Sequence, residues 1–551
     1  MKKKLAYFFS GEGKWLRRVL LAAAVVRLIS AIFSEGYIMS DDHFLAVEPV
    51  SSWVSGENYH NWYPNEYNQV EHAQPFSYAY YFLNFVILKF CAVIGILNPF
   101  IQAFVLRLAH AILSLWGVYL FVKLAERLIS SVTWRMYAIW FWVFGGVVTV
   151  FSVHQLVETA CIPFVLLAYL YVLKYFERER MSALIIAALA FSFSVGMRYQ
   201  LVFFPLTLGL YLLWKRKWSG AVLFGIFFSL GFALTQIDNL LFWHKPIYQH
   251  LLDYQAYNAT HFADYPSNVF SYLALITYYV FPVVTGVFIY CLLRKKVAPQ
   301  HSSFGHSSPT FVAPQHSSSG HSSPTFVAPQ HSNTRTIFMG VTVFIVFHLV
   351  FPNRQERFLL PAVPFVLLLM IRTISKRYSC SAPSHLVPSS ARPSSNGPSR
   401  AAHTAMRWSI YLSAIYTVSY SFYIPKSKYL EASHALYDRG DFQNVVIDNW
   451  KGEESVWLPM HYVGKFVHPF SMTNKKSFDQ LKQQISHQPL YDSKRLPAPA
   501  PNYLIIWGKE ESNPRAKAYE EAGFELQRLS SANSESEQGF AVYSLRIFYD
   551  I

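Results

Sequence analysis

For about its first 425 residues the chain alternates long apolar blocks with short polar connectors, and then its character changes. Apolar stretches recur at 16–33, 77–97, 101–121, 136–152, 157–175, 182–197, 199–214, 221–241, 269–293, 337–351, 358–371 and 408–424. Most are long enough to cross or nearly cross a bilayer, for which about 20 apolar residues suffice. Hydrocarbon offers no water to satisfy peptide groups, so such blocks must be helices. The pattern predicts an all-α polytopic bundle of about 11–12 membrane helices. After residue 425 the period shortens. Residues 444–448, 502–507 and 539–545 read as strands, and 515–523 as a helix closed by its glycine. Residues 426–551 therefore read as a small α/β domain with no phosphate-binding glycine pattern, suited to packing or acceptor recognition.

The connectors set the orientation. The stretches 123–135, 174–180, 215–217, 294–335 and 372–407 all carry Lys or Arg, and 294–335 and 372–407 contain no acid. Placed together in the cytoplasm by the positive-inside tendency, they let the helices from 136 onward alternate without contradiction. Lys14, Arg17 and Arg18 lead into the first span, which reads as a retained anchor rather than a cleaved signal. One crossing is then too many before 123–135, so 77–97 is expected to be re-entrant or interfacial, the alternative being that one connector breaks the positive-inside tendency. The outer face receives 35–76, 153–156, the turn at Arg198, 242–268, 352–357 and the tail, expected to be extracytoplasmic.

Composition agrees with a membrane protein: 53% hydrophobic and 14% charged. The net charge of +15 would suit nucleic acid, but residues 426–551 hold 15 basic and 16 acidic side chains, so the excess lies in the membrane connectors and no nucleic-acid partner is indicated. Cys91, Cys161 and Cys291 fall in apolar spans and Cys380 in a basic loop, which gives no disulfide framework. Residues 298–327 hold two copies of a 15-residue Ser/Pro/His unit. The unit cannot bury a face, so 297–335 reads as a disordered linker, and 379–405 as a second Ser/Pro-rich loop.

Candidate chemistry lies on the outer face. Residues 35–76 carry seven carboxylates and no Lys or Arg. Carboxylates near lipid are costly to desolvate and need a reason. Asp41 and Asp42 follow the first span directly, and helical spacing brings Glu48 to the same face two turns later. A general base at the membrane surface, a loose metal site with His43, and a solvated acidic loop are the readings these residues leave open. The hairpin Pro352-Asn353-Arg354-Gln355-Glu356-Arg357-Phe358 adds two arginines. They suit a functional site, a buried salt bridge with Glu356, or snorkelling to headgroups. Arg198, in Gly196-Met197-Arg198-Tyr199-Gln200, and His154 and Glu158 lie at other outer turns. The loop 242–268 adds His244, Lys245, Asn258, His261 and Asp264 with many tyrosines.

Together these motifs resemble glycosyltransferase family 22, the polyprenyl- or dolichyl-phosphate-mannose-dependent mannosyltransferases of the GPI-anchor and N-glycan pathways, over about residues 40–360. Asp41-Asp42-His43-Phe44 through Val47-Glu48 resembles the family's acidic pattern after the first span. Trp62 stands where a later Trp-Glu-Trp-like segment falls. Asn353-Arg354-Gln355-Glu356-Arg357-Phe358 resembles the family's His-Lys-Glu-x-Arg-Phe motif, with its histidine and first glutamate absent and lysine changed to arginine. Gly196-Met197-Arg198 resembles an Arg-containing turn, and His154 to Glu158 another outer-loop motif. The resemblance implies a GT-C fold and inverting transfer of mannose or a related hexose from a polyprenyl-phosphate donor to a glycan or lipid-linked acceptor. Asp41 would then be the base, with Asp42 and Glu48 orienting the acceptor or tuning it. Arg357, Arg354 and Arg198 would clamp the phosphate, and Glu356, Trp62 and Glu158 would contact substrate. No cofactor is implied beyond the lipid-linked donor, and no metal is indicated. A bacterial inner membrane is expected, with the endoplasmic reticulum as the alternative. A lipid-sugar flippase or a non-catalytic scaffold of glycan assembly are the rival readings.

Overall fold

The computed structural model describes residues 13–57, 59, 78–241, 243–260, 270, 282–293, 334–351, 355–379, 398–424, 426–450, 452, 456–487, 499–507, 513–532 and 540–547. The expected repeat linker and most of the Ser/Pro-rich loop lie outside these residues, as do Trp62 and Arg354.

The helices that position the site are α1 (Lys14–Phe33), α2 (Glu48–Val54), α3 (Tyr78–Val93), α4 (Pro99–Leu128), α5 (Val132–Val143), α6 (Ile162–Arg178), α7 (Met181–Met197), α8 (Phe203–Trp214), α9 (Trp218–Thr235), α10 (Gln249–Thr260), α11 (Pro282–Leu293), α12 (Thr334–Val350), α13 (Val363–Ser379) and α14 (Pro398–Ser421). Four helical stretches, Pro99–Leu128, Val157–Arg178, Trp218–Thr235 and Glu356–Tyr378, are long and apolar enough to cross a membrane, and five shorter apolar helices accompany them. The block expected at 136–152 breaks at Gly146, where φ is +57°. The last apolar block starts earlier than expected, because α14 takes in residues read as the end of the Ser/Pro-rich loop.

Helix α3 lies along one end of the bundle. Near its start, the Tyr80 hydroxyl donates to His110 Nε2 at 2.8 Å, because His110 Nδ1 faces the Leu106 carbonyl. Just past its end, Gln102 Nε2 donates to the Ile96 carbonyl at 2.9 Å. Both contacts thus fall in the first half of α4. Helix α4 has 30 residues, a length of about 45 Å, against about 30 Å of hydrocarbon.

Buried polar groups stitch the bundle. Arg27 Nε donates to Ser114 Oγ at 2.8 Å, Arg107 Nε to the Ala31 carbonyl at 2.9 Å, and Ser30 and Ser421 share a 2.7 Å bond.

The tail carries β1 (Val445–Asn449), β2 (Phe470–Thr473), β3 (Tyr503–Trp507), β4 (Phe524–Ala532) and β5 (Phe540–Ile547) in the order β2-β1-β3-β5-β4. Strand β1 runs parallel to β2 and β3, and β5 antiparallel to β3 and β4. Alternation sends Val445 and Ile447 to one core, with α15 (Ser427–Tyr437), and Val446 to the other, with α16 (Phe478–His487) and α17 (Asn513–Glu521). Gly523 follows α17 with φ +86°, which a side chain would resist. Strands β2 and β4 and helix α16 were not anticipated.

Candidate active site

The acidic loop is helical but irregular. An α turn over Ser40–Asp42 passes into a single π-helical turn, His43–Val47, and then into α2. A π turn carries one more residue than an α turn and rotates everything after it. Asp42, before the π turn, and Leu45 and Ala46, within it, face a cavity of about 410 Å³. Glu48 does not line it, so the expected sharing of one face fails for Asp42. The Asp42 carboxylate accepts from the Ile38 and Met39 N–H groups at 2.9 and 3.2 Å, closing the first turn. The backbone of Asp41 lies in the same turn, and its side chain lies outside the described set.

The opposite wall is cationic. Glu158, in the short helix Val157–Ala160, is 2% exposed. Its Oε1 lies 3.0 Å from Arg198 Nη1 and 3.3 Å from Arg357 Nε. Arg198 follows α7 with extended backbone, and Arg357 stands in a 3₁₀ turn, Glu356–Ala362, that contains Pro361. The Phe358 ring lies beneath both guanidiniums, 4.4 Å from Arg198 and 5.6 Å from Arg357, a cation–π arrangement that holds them flat. Arg198 Nε and Nη2 are buried and have no hydrogen-bond partner among the described residues. The close approach that places Arg198 comes from Gly196. A Cβ there would stand 2.2 Å from Thr235 Oγ1 on α9.

Three motifs far apart in sequence thus meet: Glu158, Arg198 and Arg357 share one ion-pair cluster, and Asp42 lines the same cavity. Glu356 does not join them. It is exposed and absent from the cavity wall, while Arg357 pairs with Glu158 and Arg354 lies outside the described residues. His154 is buried at 2.9 Å from Ser34 Oγ and does not line the cavity. Tyr80, Tyr81, Gln155, Tyr199, Gln200, Tyr254, Tyr257, Asn258 and Gln355 add polar side chains to the lining. Of these, Tyr199 and Gln200 belong to the turn, Gln355 to the hairpin and Asn258 to the loop that the sequence had singled out. Tyr80 and Tyr81 carry no signal that separates them from an interfacial aromatic belt.

Beside the cavity runs an apolar groove of about 490 Å³, lined by Val195, Val202, Phe203, Phe228, Phe232, Leu251, Phe347 and Phe351. The two spaces share Tyr199, Gln200, Tyr254 and Asn258, and a hydrogen bond from Gln200 to Tyr254 joins that common wall. A polar chamber with a dicationic cluster therefore opens beside a channel suited to hydrocarbon. Among the described residues no group of three or more His, Cys, Asp or Glu stands together as a metal site would.

The profile of the Alg9-like mannosyltransferase family matches residues 18–438. No curated protein matches the sequence. In structure the chain is similar to ArnT from Cupriavidus metallidurans bound to undecaprenyl phosphate, at a TM-score of 0.56 and 11% identity, covering 97% of this chain and 98% of that one. It is also similar to the same protein in the apo state, at 0.54 and 10% identity, over 97% and 98%. The archaeal oligosaccharyltransferase AglB from Archaeoglobus fulgidus, in complex with an inhibitory peptide and a dolichol-phosphate, follows at 0.48 and 11% identity, over 92% and 71%.

Proposed function

The chain belongs to the Alg9-like mannosyltransferase family, and from that premise we propose that this membrane glycosyltransferase moves mannose from a polyprenyl-phosphate donor to a glycan or lipid-linked acceptor. Membership sets aside the flippase and scaffold readings. The observation that carries the donor assignment is the pairing of the Arg198–Arg357–Glu158 cluster with the adjoining apolar groove. A lipid phosphate needs both, a charged clamp for its head and a dry channel for its chain. That the structurally similar ArnT is described bound to undecaprenyl phosphate fits this reading.

In the proposed reaction the acceptor hydroxyl oxygen attacks the anomeric carbon. Its proton passes to the Asp41 carboxylate, and the bond from that carbon to the phosphate oxygen breaks. The lipid phosphate leaves with the bonding pair, and a single displacement inverts the centre. Arg198 offers its two unpartnered N–H groups to the phosphate, and Arg357 supports it from the other side of Glu158. Arg354, by its place in the hairpin, and Trp62, by its place in the acidic loop, are assigned to the same site. Asp42 holds the turn that presents Asp41. The cavity opens on the extracytoplasmic side of a bacterial inner membrane or the luminal side of the endoplasmic reticulum, as the basic connectors dictate.

The test is sugar transfer by the purified protein in lipid, supplied with polyprenyl-phosphate-mannose, beside Asp41→Asn. Transfer that disappears in the folded variant supports the reaction and its base. Transfer that survives moves the base elsewhere, and absence of transfer from every polyprenyl-phosphate sugar overturns the donor assignment.

A further inference from the structure

Glu48 is a carboxylate at 1% exposure that faces away from the cavity. Its Oε1 accepts from the Met460 N–H at 3.0 Å, and its Oε2 stands 3.2 Å from His43 Nε2. One turn later the Ser51 hydroxyl is 2.8 Å from His461 Nδ1, whose Nε2 faces the Pro99 carbonyl at 3.2 Å. A carbonyl only accepts, so His461 carries its proton on Nε2 and Ser51 donates. The His43 ring is stacked between Tyr37 and Tyr462, at centroid distances of 4.9 and 5.3 Å. Three consecutive residues of the C-terminal domain, Met460, His461 and Tyr462, therefore grip three residues of the acidic loop, His43, Glu48 and Ser51.

The grip falls on the π turn and the helix it feeds. An isolated π turn is unfavourable and persists where its surroundings hold it. Here the turn, following the cavity-facing Asp42, rotates Glu48 toward the C-terminal domain. A buried carboxylate is tolerable only while its hydrogen-bond donors stay in place, which ties the shape of the loop to the docked position of the domain.

We propose that Glu48 is a positioning residue, a latch through which the C-terminal domain holds the acidic loop in the shape that presents Asp42 to the cavity and sets the backbone of Asp41. The proposal rests on the reaction above for the role of Asp41. It gives residues 426–551 a part in catalysis without any contact with the reacting atoms.

The experiment uses full-length protein in nanodiscs and reads three quantities: kcat, donor KM, and amide exchange across residues 458–463. In Glu48→Ala, exchange there accelerates and kcat falls on the order of 10- to 100-fold, as expected for loss of positioning. Donor KM stays within about twofold, because the phosphate clamp is untouched. Ser51→Ala, a smaller change that touches only the domain contact, gives the same pattern in milder form. The two losses are not additive, as befits one coupled contact. Loss of turnover in Glu48→Ala with exchange unchanged would overturn the latch and place Glu48 on substrate. Accelerated exchange with full turnover in either variant would overturn it as well. Exchange is read without turnover, so a wild-type protein that transferred no sugar would defeat the proposed reaction alone, and the exchange result would still decide the latch.

Discussion

Replacing Arg198 with lysine isolates the phosphate clamp from charge and from folding. In the wild-type structure Nη1 pairs with Glu158 at 3.0 Å while Nε and Nη2, in a buried wall, have no hydrogen-bond partner among the described residues. Lysine keeps the positive charge and the contact with Glu158, but it has no second fixed N–H fork. One charge-assisted hydrogen bond to the phosphate is therefore lost, worth about 1.5–3 kcal/mol. That corresponds to roughly 10- to 150-fold weaker binding. The assay is competition by a short polyprenyl phosphate against donor turnover, read as Ki beside a thermal unfolding curve. Arg198→Lys should raise Ki by that factor with little change in the midpoint. A Ki within about twofold of wild type, in a protein of unchanged stability, would refute the assignment of Arg198 to the phosphate.

The remaining predictions probe stability and pH. Glu158→Gln removes the carboxylate that two guanidiniums at 10% and 9% exposure share and should cost about 3–5 kcal/mol, read by unfolding in lipid, with Glu158→Asp less damaging. Gly196→Ala drives a methyl group into Thr235 and should cost about 1–3 kcal/mol; adding Thr235→Ala should restore both stability and turnover. Burial pushes His461 down to about 3 from its usual 6.5. A depressed histidine contributes stability that is complete above its unfolded value and lost as pH falls, so docking should weaken below pH ~6.5 by about 1.4 kcal/mol per unit. Melting curves from pH 7.5 to 5.5 check this, and His461→Gln should flatten the slope.

The bundle was legible because hydrocarbon imposes one backbone solution on any long apolar block, and the basic connectors grouped the remaining turns together. The convergence of outer turns was legible for the same reason, and Arg198, Arg357 and Glu158 do meet. What eluded the sequence was rotation and partner choice. Counting at a regular helical period put Glu48 on the face of Asp41 and Asp42, but one extra residue at His43–Val47 turned it away from the cavity that Asp42 lines. Proximity in sequence suggested Glu356 as the partner of the hairpin arginines. Arg357 instead reaches a carboxylate about 200 residues earlier in the chain, which no local pattern encodes. Strand β2 has four residues, Phe470–Thr473, too few for alternation to register. Residues 398–405 read as loop from their Ser and Ala content, yet they continue a helix whose apolar face begins only later.

Helix α3 turns a row of bare side chains outward: Phe82, Val86, Phe90 and Val93, 66%, 49%, 60% and 76% exposed. Their spacing lines one side of the helix, the side opposite α4. On a soluble surface such a stripe would aggregate; at the edge of a bilayer it floats among acyl chains. Lying at the membrane surface, such a helix would act as a depth gauge, setting how far the protein sinks and the height at which the cavity mouth meets the headgroup plane. Bilayers of different thickness would shift that height at a modest cost per ångström of mismatch. Turnover should therefore depend on acyl-chain length even when donor, acceptor and every residue of the cavity are unchanged.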